Sequence, residues 1–329
     1  MKIKSTKKGR IKLIKFKRNM TKYILVLVIV ILIMILVMFI CIFGKVHSIY
    51  KEGDDEQYSM EQSDLENENL NNSEGLSDKN SIDKCPFFEQ LNAYWKVQLP
   101  VSKDEDASSV KEVGKGTAIP FNGYYDKYFY YDYNDNSLVL YTPVNGQKTA
   151  NTSYTRTELR QMISDRNSDN WGWSDCNNLK VEESVDKVSA NGKVMVCQVH
   201  AICKDGANGP VPLKVIYEGN KKRLAVSFTI NAGSKEKNTY YFENVDFGQR
   251  FVVKIEMQDY NAKVTIESNG KKECFEHDYS LEADSWSEYN NYFKAGNYIQ
   301  DSDDNSENAG SEVRIYYINT EGNYINEKN

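Results

Sequence analysis

Residues 292–300, Tyr-Phe-Lys-Ala-Gly-Asn-Tyr-Ile-Gln, alternate in chemistry with a period of two. In an extended chain successive side chains point to opposite faces, so Tyr292, Lys294, Tyr298 and Gln300 share one face while Phe293, Ala295 and Ile299 share the other. Two further segments repeat the pattern. Arg156, Glu158 and Arg160 alternate with Thr157 and Leu159, and Gln198 and His200 alternate with Cys197, Val199 and Ala201. Three strands of this kind require a sheet with one face in a core and the other presenting cations, an amide, an imidazole and phenols.

The rest of the chain supplies the remainder of such a sheet. Segments 128–133, 137–141, 194–202, 213–217, 224–230, 250–258, 262–267 and 312–318 are short, rich in Tyr and β-branched residues, and separated by Asn, Gly and Asp. Short strands at regular spacing with turn signals between them predict an all-β antiparallel sandwich or barrel. After Gly53 no apolar stripe at helical spacing exceeds about ten residues, and no internal repeat is present.

The first 84 residues are of another kind. Residues 23–43 form an apolar run of 21 residues without charge, Pro or Gly, enough at about 1.5 Å per residue to cross a hydrocarbon core of about 30 Å. Ten Lys and Arg lie in residues 2–22 and only Lys45 and Lys51 follow the run before the chain turns acidic, which places the N-terminus in the cytoplasm. Residues 53–84 carry ten Asp and Glu against Lys79 and Lys84, too polar to bury a core and self-repelling. The expected organisation is a basic cytoplasmic segment (1–22), a transmembrane signal anchor (23–43), an acidic disordered tether (44–84) and an extracytoplasmic globular domain (85–329). Secretion after signal cleavage is the alternative, although the run exceeds an ordinary h-region of about 7–15 residues and no small-residue cleavage site follows it.

Charge and cysteine usage narrow the partners. Residues 1–52 carry about +11 and residues 53–84 about −8, which leaves the globular part near −9 of a net −6. That balance disfavours nucleic acid as a partner, since its binding rests on cationic charge. Cys41 lies in the apolar run, and Cys85, Cys176, Cys197, Cys203 and Cys274 lie beyond it. Five is odd, so at least one thiol is free or pairs between chains. No C-x-x-C pair occurs and the chain has 3 His, so no metal or cofactor is expected.

The strings R-T-E-L-R (156–160), Q-V-H (198–200) and Y-F-K-A-G-N-Y-I-Q (292–300), in that order, resemble hallmarks of the alginate lyases of polysaccharide lyase family seven. The segment Trp95-Lys96-Val97-Gln98-Leu99-Pro100 is similar to that family's opening strand, and the likeness spans roughly residues 85 to 320. Departures are small: Thr155 stands where Pro is frequent, and Cys197 where a small residue is common. The resemblance implies a β-jelly roll, a concanavalin-like sandwich of two antiparallel sheets, acting as a monomer on an anionic polysaccharide, alginate or a related uronan.

The chemistry of the polar face agrees with this. A uronan is cut by β-elimination when a base removes the C5 proton beside the carboxylate and the O4 glycosidic oxygen leaves. That proton is weakly acidic because its loss adds charge to an anionic group, so positioned donors must neutralise the carboxylate. Arg156 and Gln198 suit this task, His200 can accept the proton, and Tyr298 can protonate the leaving oxygen or, for one stereochemistry, act as base too. The resemblance gives these four residues the same catalytic roles. It places Arg160, Lys294 and Gln300 along the substrate groove, a face that Glu158 and Tyr292 share, with Glu158 suited to orienting the arginines. Val199 in the middle of Q-V-H implies a preference for mannuronate-rich alginate. Any one of these residues alone would more often be structural; their joint order and parity is what carries weight. The remaining alternatives are a non-catalytic uronan-binding jelly-roll module, a lyase for another uronan such as glucuronan, and a two-carboxylate glycosidase, for which no Asp/Glu pair stands out.

Overall fold

The structure, a computed structural model, describes residues 79–103, 109–149, 152–302 and 309–323. The apolar run at 23–43 and most of the acidic tether lie outside these residues; among those described, no helix is long and apolar enough to cross a membrane.

Among the described residues, fifteen strands form two antiparallel sheets. The first has eight, in spatial order β10 (Lys237–Glu243), β9 (Arg223–Thr229), β8 (Leu213–Glu218), β7 (Lys193–Cys203), β14 (Tyr289–Ile299), β5 (Arg156–Gln161), β1 (Trp95–Ser102) and β2 (Val110–Gly114). The second has seven: β13 (Lys271–Asp278), β12 (Asn261–Ser268), β11 (Phe251–Gln258), β6 (Asn177–Lys187), β15 (Gly310–Gly322), β4 (Ser137–Pro143) and β3 (Phe129–Asp132). Two short α-helices, α1 (Phe88–Tyr94) and α2 (Ala283–Trp286), precede β1 and β14 in the chain. The expected all-β sandwich is therefore present.

Alternation decides which residues meet between the sheets. Val97, Leu159, Cys197, Val199, Val215, Phe293 and Ala295 of the first sheet join Leu140, Val181, Val253, Ile255, Val264, Val313 and Ile315 of the second in one core. Each fully buried Val, Leu, Ile or Phe contributes about 1.5–3 kcal/mol. Ile82, upstream of the expected boundary at residue 85, is fully buried in the same core, and its backbone N–H bonds to the Tyr124 carbonyl at 3.1 Å.

Alternation breaks beside the motif strands. From Ala295 to Tyr298 β14 takes three steps while β7 takes two, from Cys197 to Met195. The extra residue falls at Gly296, whose φ of +122° is closed to L side chains; an added Cβ would lie 2.6 Å from Leu140 Cδ2. β7 is bulged in turn against β8. Val194, Val196 and Cys197 all belong to the core, whereas strict period two would put Val196 on the face of Gln198. Bulges of this kind re-aim side chains beside functional sites.

The interior also holds a carboxyl. Glu183 of β6 is fully buried; its Oε1 accepts from the Cys197 thiol at 3.5 Å and its Oε2 has no partner. Burial pushes its pKa well above the ordinary carboxylate range, the thiol contact opposing this only partly. The folded protein therefore keeps a proton there that the unfolded chain gives up above the ordinary range, and stability drains away as pH rises. Glu183→Gln should remove this loss. The stability gap between variant and wild type, read from urea unfolding at pH 5 to 8, should widen by up to about 1.4 kcal/mol per pH unit. A gap that stays flat over this range would show that Glu183 ionises normally.

Candidate active site

Register brings the three motifs together, because β5, β14 and β7 are neighbours in the eight-stranded sheet. Arg156 faces Tyr298, Glu158 faces Gly296 and Arg160 faces Lys294 across β5–β14. On the other side of β14, Lys294 faces Gln198 and Tyr292 faces His200. All of these side chains lie on the face turned away from the second sheet.

The centre of this face is Glu158, only 1% exposed. Its Oε2 receives Lys294 Nζ at 2.5 Å and an Arg156 guanidinium nitrogen at 3.0 Å, and its Oε1 accepts from Gln198 Nε2 at 2.5 Å. Burial raises the carboxyl, but Lys294 and Arg156 outweigh it and hold the pKa below its ordinary value. Burial, with Arg156 nearby, pushes Lys294 down to about 7 even though Glu158 acts to keep it charged. Lys294 Nζ also donates to Gln98 Oε1 at 3.1 Å. Glu158, expected among the groove residues, is thus an internal counter-ion with no surface for sugar.

A cleft of about 250 Å³ opens above this cluster, lined by Gln98, Thr149, Thr152, Arg156, His200, Asn208, Tyr292 and Lys294. Arg156 is anchored by Glu158 and by the Tyr298 ring, whose centroid lies 3.8 Å from the guanidinium carbon; its Nε has no partner. His200 is half-buried, stacks on Tyr292 with ring centroids 5.2 Å apart, and has Nδ1 2.7 Å from the Ala201 carbonyl. A carbonyl only accepts, so Nδ1 carries the proton and Nε2 is bare in the neutral ring. Burial, with Lys294 adding repulsion, pushes His200 down to about 4, so the ring is neutral at neutral pH. Burial raises the Tyr298 phenol above its ordinary value although Arg156 opposes the shift. Tyr298 therefore keeps its proton.

Two expected groove residues are committed elsewhere. Arg160 donates to the carbonyls of Gln161 at 2.7 Å and Asn167 at 2.8 Å and to Asn170 Oδ1 at 3.0 Å, with its guanidinium 4.0 Å from the Tyr292 ring centroid. It pins the loop after β5 rather than lining the cleft. Gln300 lies past the end of β14, and its amide donates to the carbonyls of Tyr298 and Ile299. Gln98, Thr149, Thr152 and Asn208 line the cleft without having been foreseen. Gln98 shares the face of Lys96 in the opening strand, a parity signal that could have found it. The Thr and Asn residues sit in loops, where no periodicity points to a face. Among the described residues no group of three or more His, Cys, Asp or Glu is placed to hold a metal ion, and the five cysteines are unpaired.

Removing one partner of a buried ion cluster leaves the others uncompensated. Glu158→Gln should therefore lower unfolding free energy in urea by about 3–5 kcal/mol, and a loss below about 1 kcal/mol would show that the carboxylate does not hold the cluster together.

The chain matches the family described as "Alginate lyase" over residues 90–322. The crystal structure of alginate lyase A1-II′, a member of polysaccharide lyase family 7, is similar with a TM-score of 0.61 and 28% identity, over 70% of this chain and 95% of that one. A variant of that lyase in complex with the substrate GGMG gives a TM-score of 0.62 at 26% identity, over 74% and 97%. The alginate lyase from Klebsiella pneumoniae shares the fold at a TM-score of 0.59 and 20% identity, over 74% and 97%. Comparison with curated proteins gives no match. With its motifs side by side on one face and the family match covering nearly all of the folded domain, the chain belongs to the alginate lyases of polysaccharide lyase family seven.

Proposed function

We propose that this lyase cleaves alginate by β-elimination within the cleft above Glu158, acting inside mannuronate-rich stretches. The supporting observation is that Arg156 and His200, the latter with a bare Nε2, line the same cleft. Arg156 and the second N–H of the Gln198 amide neutralise the uronate carboxylate. The C5–H bond breaks with its proton passing to His200 Nε2, and its electron pair forms the C4=C5 double bond. The C4–O4 bond breaks, and its electron pair stays on the leaving oxygen, which takes the Tyr298 proton. Tyr298 recovers a proton from solvent as His200 releases one. A raised phenol and a neutral imidazole are the protonation states that this division of labour needs.

The substrate of A1-II′ in its complex, GGMG, contains both G and M units, and an oligosaccharide of that class is what we assign to this cleft. Preference for mannuronate rests on Val199, which is fully buried and can act only by shifting its neighbours Gln198 and His200. A methylene difference of this kind is worth roughly 1 kcal/mol, a several-fold preference rather than exclusion. We further propose that residues 23–43 anchor the monomeric catalytic domain outside the cytoplasmic membrane, as the charge asymmetry of the sequence indicates.

Elimination leaves a conjugated unsaturated uronide that hydrolysis and simple binding do not, so ultraviolet absorbance of the products tests the reaction directly. Tyr298→Phe should lower turnover by about 10²–10⁴ with binding nearly intact; near-wild-type turnover would remove Tyr298 from the mechanism. Initial rates on polymannuronate should exceed those on polyguluronate several-fold, and the reverse order would refute the role given to Val199.

A further inference from the structure

The open face of the first sheet continues past His200 over three more strands. In register, Lys96 of β1 faces Arg160 of β5, which faces Lys294 of β14, then Gln198 of β7, Lys214 of β8, Ser227 of β9 and Thr239 of β10. This single row crosses seven strands and holds four cations. One pleat further along, Tyr292 faces His200, and Thr229 of β9 faces Lys237 of β10.

The cations of this row differ in their partners. Lys96 is bound by Glu112 at 2.6 Å and Asn167 at 2.9 Å, Arg160 by the loop after β5, and Lys294 by Glu158. Lys214 has no acceptor among the described residues, and neither has Lys237. Two carboxylates at this end of the face are taken, Glu218 by Lys193, Lys221 and Arg223, and Glu243 by Arg223. Lys214 is half-buried, and burial together with the neighbouring Lys237 lowers its pKa. A partly desolvated ammonium beside a second cation and without a counter-ion is unfavourable by itself. In a protein of net charge −6 its neighbours could readily have included a carboxylate. Ser227 Oγ and Thr239 Oγ1 lie 2.9 Å apart in the same row; one donates to the other, which leaves one hydroxyl hydrogen for a ligand.

We propose that Lys214, with Lys237 and the Ser227–Thr239 hydroxyls, forms a distal subsite for a uronate carboxylate of a chain running across β8, β9 and β10. The inference rests on the uronan-lyase reading and extends it away from the bond that is cut. Strands in a sheet lie about 4.8 Å apart, so β8 stands about 5 Å beyond Gln198 and about 10 Å beyond Lys294. That is one to two sugar residues from the reaction centre. Asn208, in the loop joining β7 to β8, is a wall of the catalytic cleft, which makes the two regions contiguous.

The test is the affinity of the Tyr298→Phe protein for polymannuronate by titration calorimetry, with and without Lys214→Met, which keeps the aliphatic stem and removes the charge. Kd should rise about tenfold, as for loss of a charge-assisted contact, and Lys214→Arg should recover most of it. Lys263→Met on the second sheet removes the same charge and should leave Kd within about twofold. In the catalytically intact protein, Lys214→Met should raise KM for the polymer more than for a short oligomannuronate, with the effect in KM rather than kcat. Unchanged Kd and KM, an equal loss in Lys263→Met, or no binding of polymannuronate at all would overturn the subsite. A wild-type protein that produces no unsaturated uronide would instead overturn the lyase reading, while the calorimetric comparison would still decide the subsite.

Discussion

The Glu158 carboxylate is the interaction on which the rest of the site depends. Arg156 and Lys294 are both almost fully buried, and two like charges side by side in a desolvated setting repel strongly. Arg156 cannot shed its proton, so the strain would fall on Lys294 or on the position of the guanidinium. Glu158 counters both, without cancelling the downward shift of Lys294, by taking one contact from each cation and a third from Gln198. Because these donors come from β5, β14 and β7, one carboxylate fixes the lateral register of the functional groups as well as their charge. The Tyr298 ring then packs over Arg156, its centroid 3.8 Å from the guanidinium carbon.

Much of this was legible in the sequence because strand parity is a rigid rule where one face is buried. Arg156, Gln198, His200, Tyr292, Lys294 and Tyr298 could be assigned to a common face before any coordinate was known, and the register shows them there. Parity says only which face a residue takes, not how far its side chain reaches or what it meets. Arg160 has the right parity, yet the loop after β5 folds back and captures its donors. Strand prediction failed in a related way. β2, β6, β10 and β13 were not foreseen; β10 and β13 are edge strands, exposed along most of their length, and their Lys, Asn and Glu content hides the strand signal. Such polarity is what keeps an edge from pairing with another chain. The bulge at Val196–Cys197 was also invisible, since it depends on the strands to either side and not on β7 alone.

The globular part carries a net charge near −9, which is unfavourable for long-range attraction of a polyanion. The structure resolves this by position. Acidic residues on the first sheet's open face are largely neutralised within it, as Glu112 is by Lys96 and Glu218 by Lys193 and Arg223. Other carboxylates lie on the second sheet, where Glu256 meets Lys254 and Glu267 meets Lys272. Salt screens charges on the two sheets from each other beyond about 8–10 Å, so the local row of cations, not the net charge, sets the potential that a sugar carboxylate meets.

β7 carries the same economy through the thickness of the sheet. Consecutive residues Cys197 and Gln198 point to opposite sides, and each donates to a fully buried glutamate, Glu183 within the sandwich and Glu158 on the open face. The two carboxyls shift in opposite directions because their donors differ. Glu158 has two cations and an amide, enough to overcome burial; Glu183 has one weak thiol donor, which is not. The inner glutamate is accordingly biased toward its neutral form, which lessens the negative potential beneath the site. With Lys294 protonated, the outer cluster then sums Arg156 and Lys294 against Glu158 alone and keeps one excess positive charge. Arg156 and Lys294 line the cleft, so that charge meets an incoming carboxylate at a site that a negatively charged domain would otherwise repel.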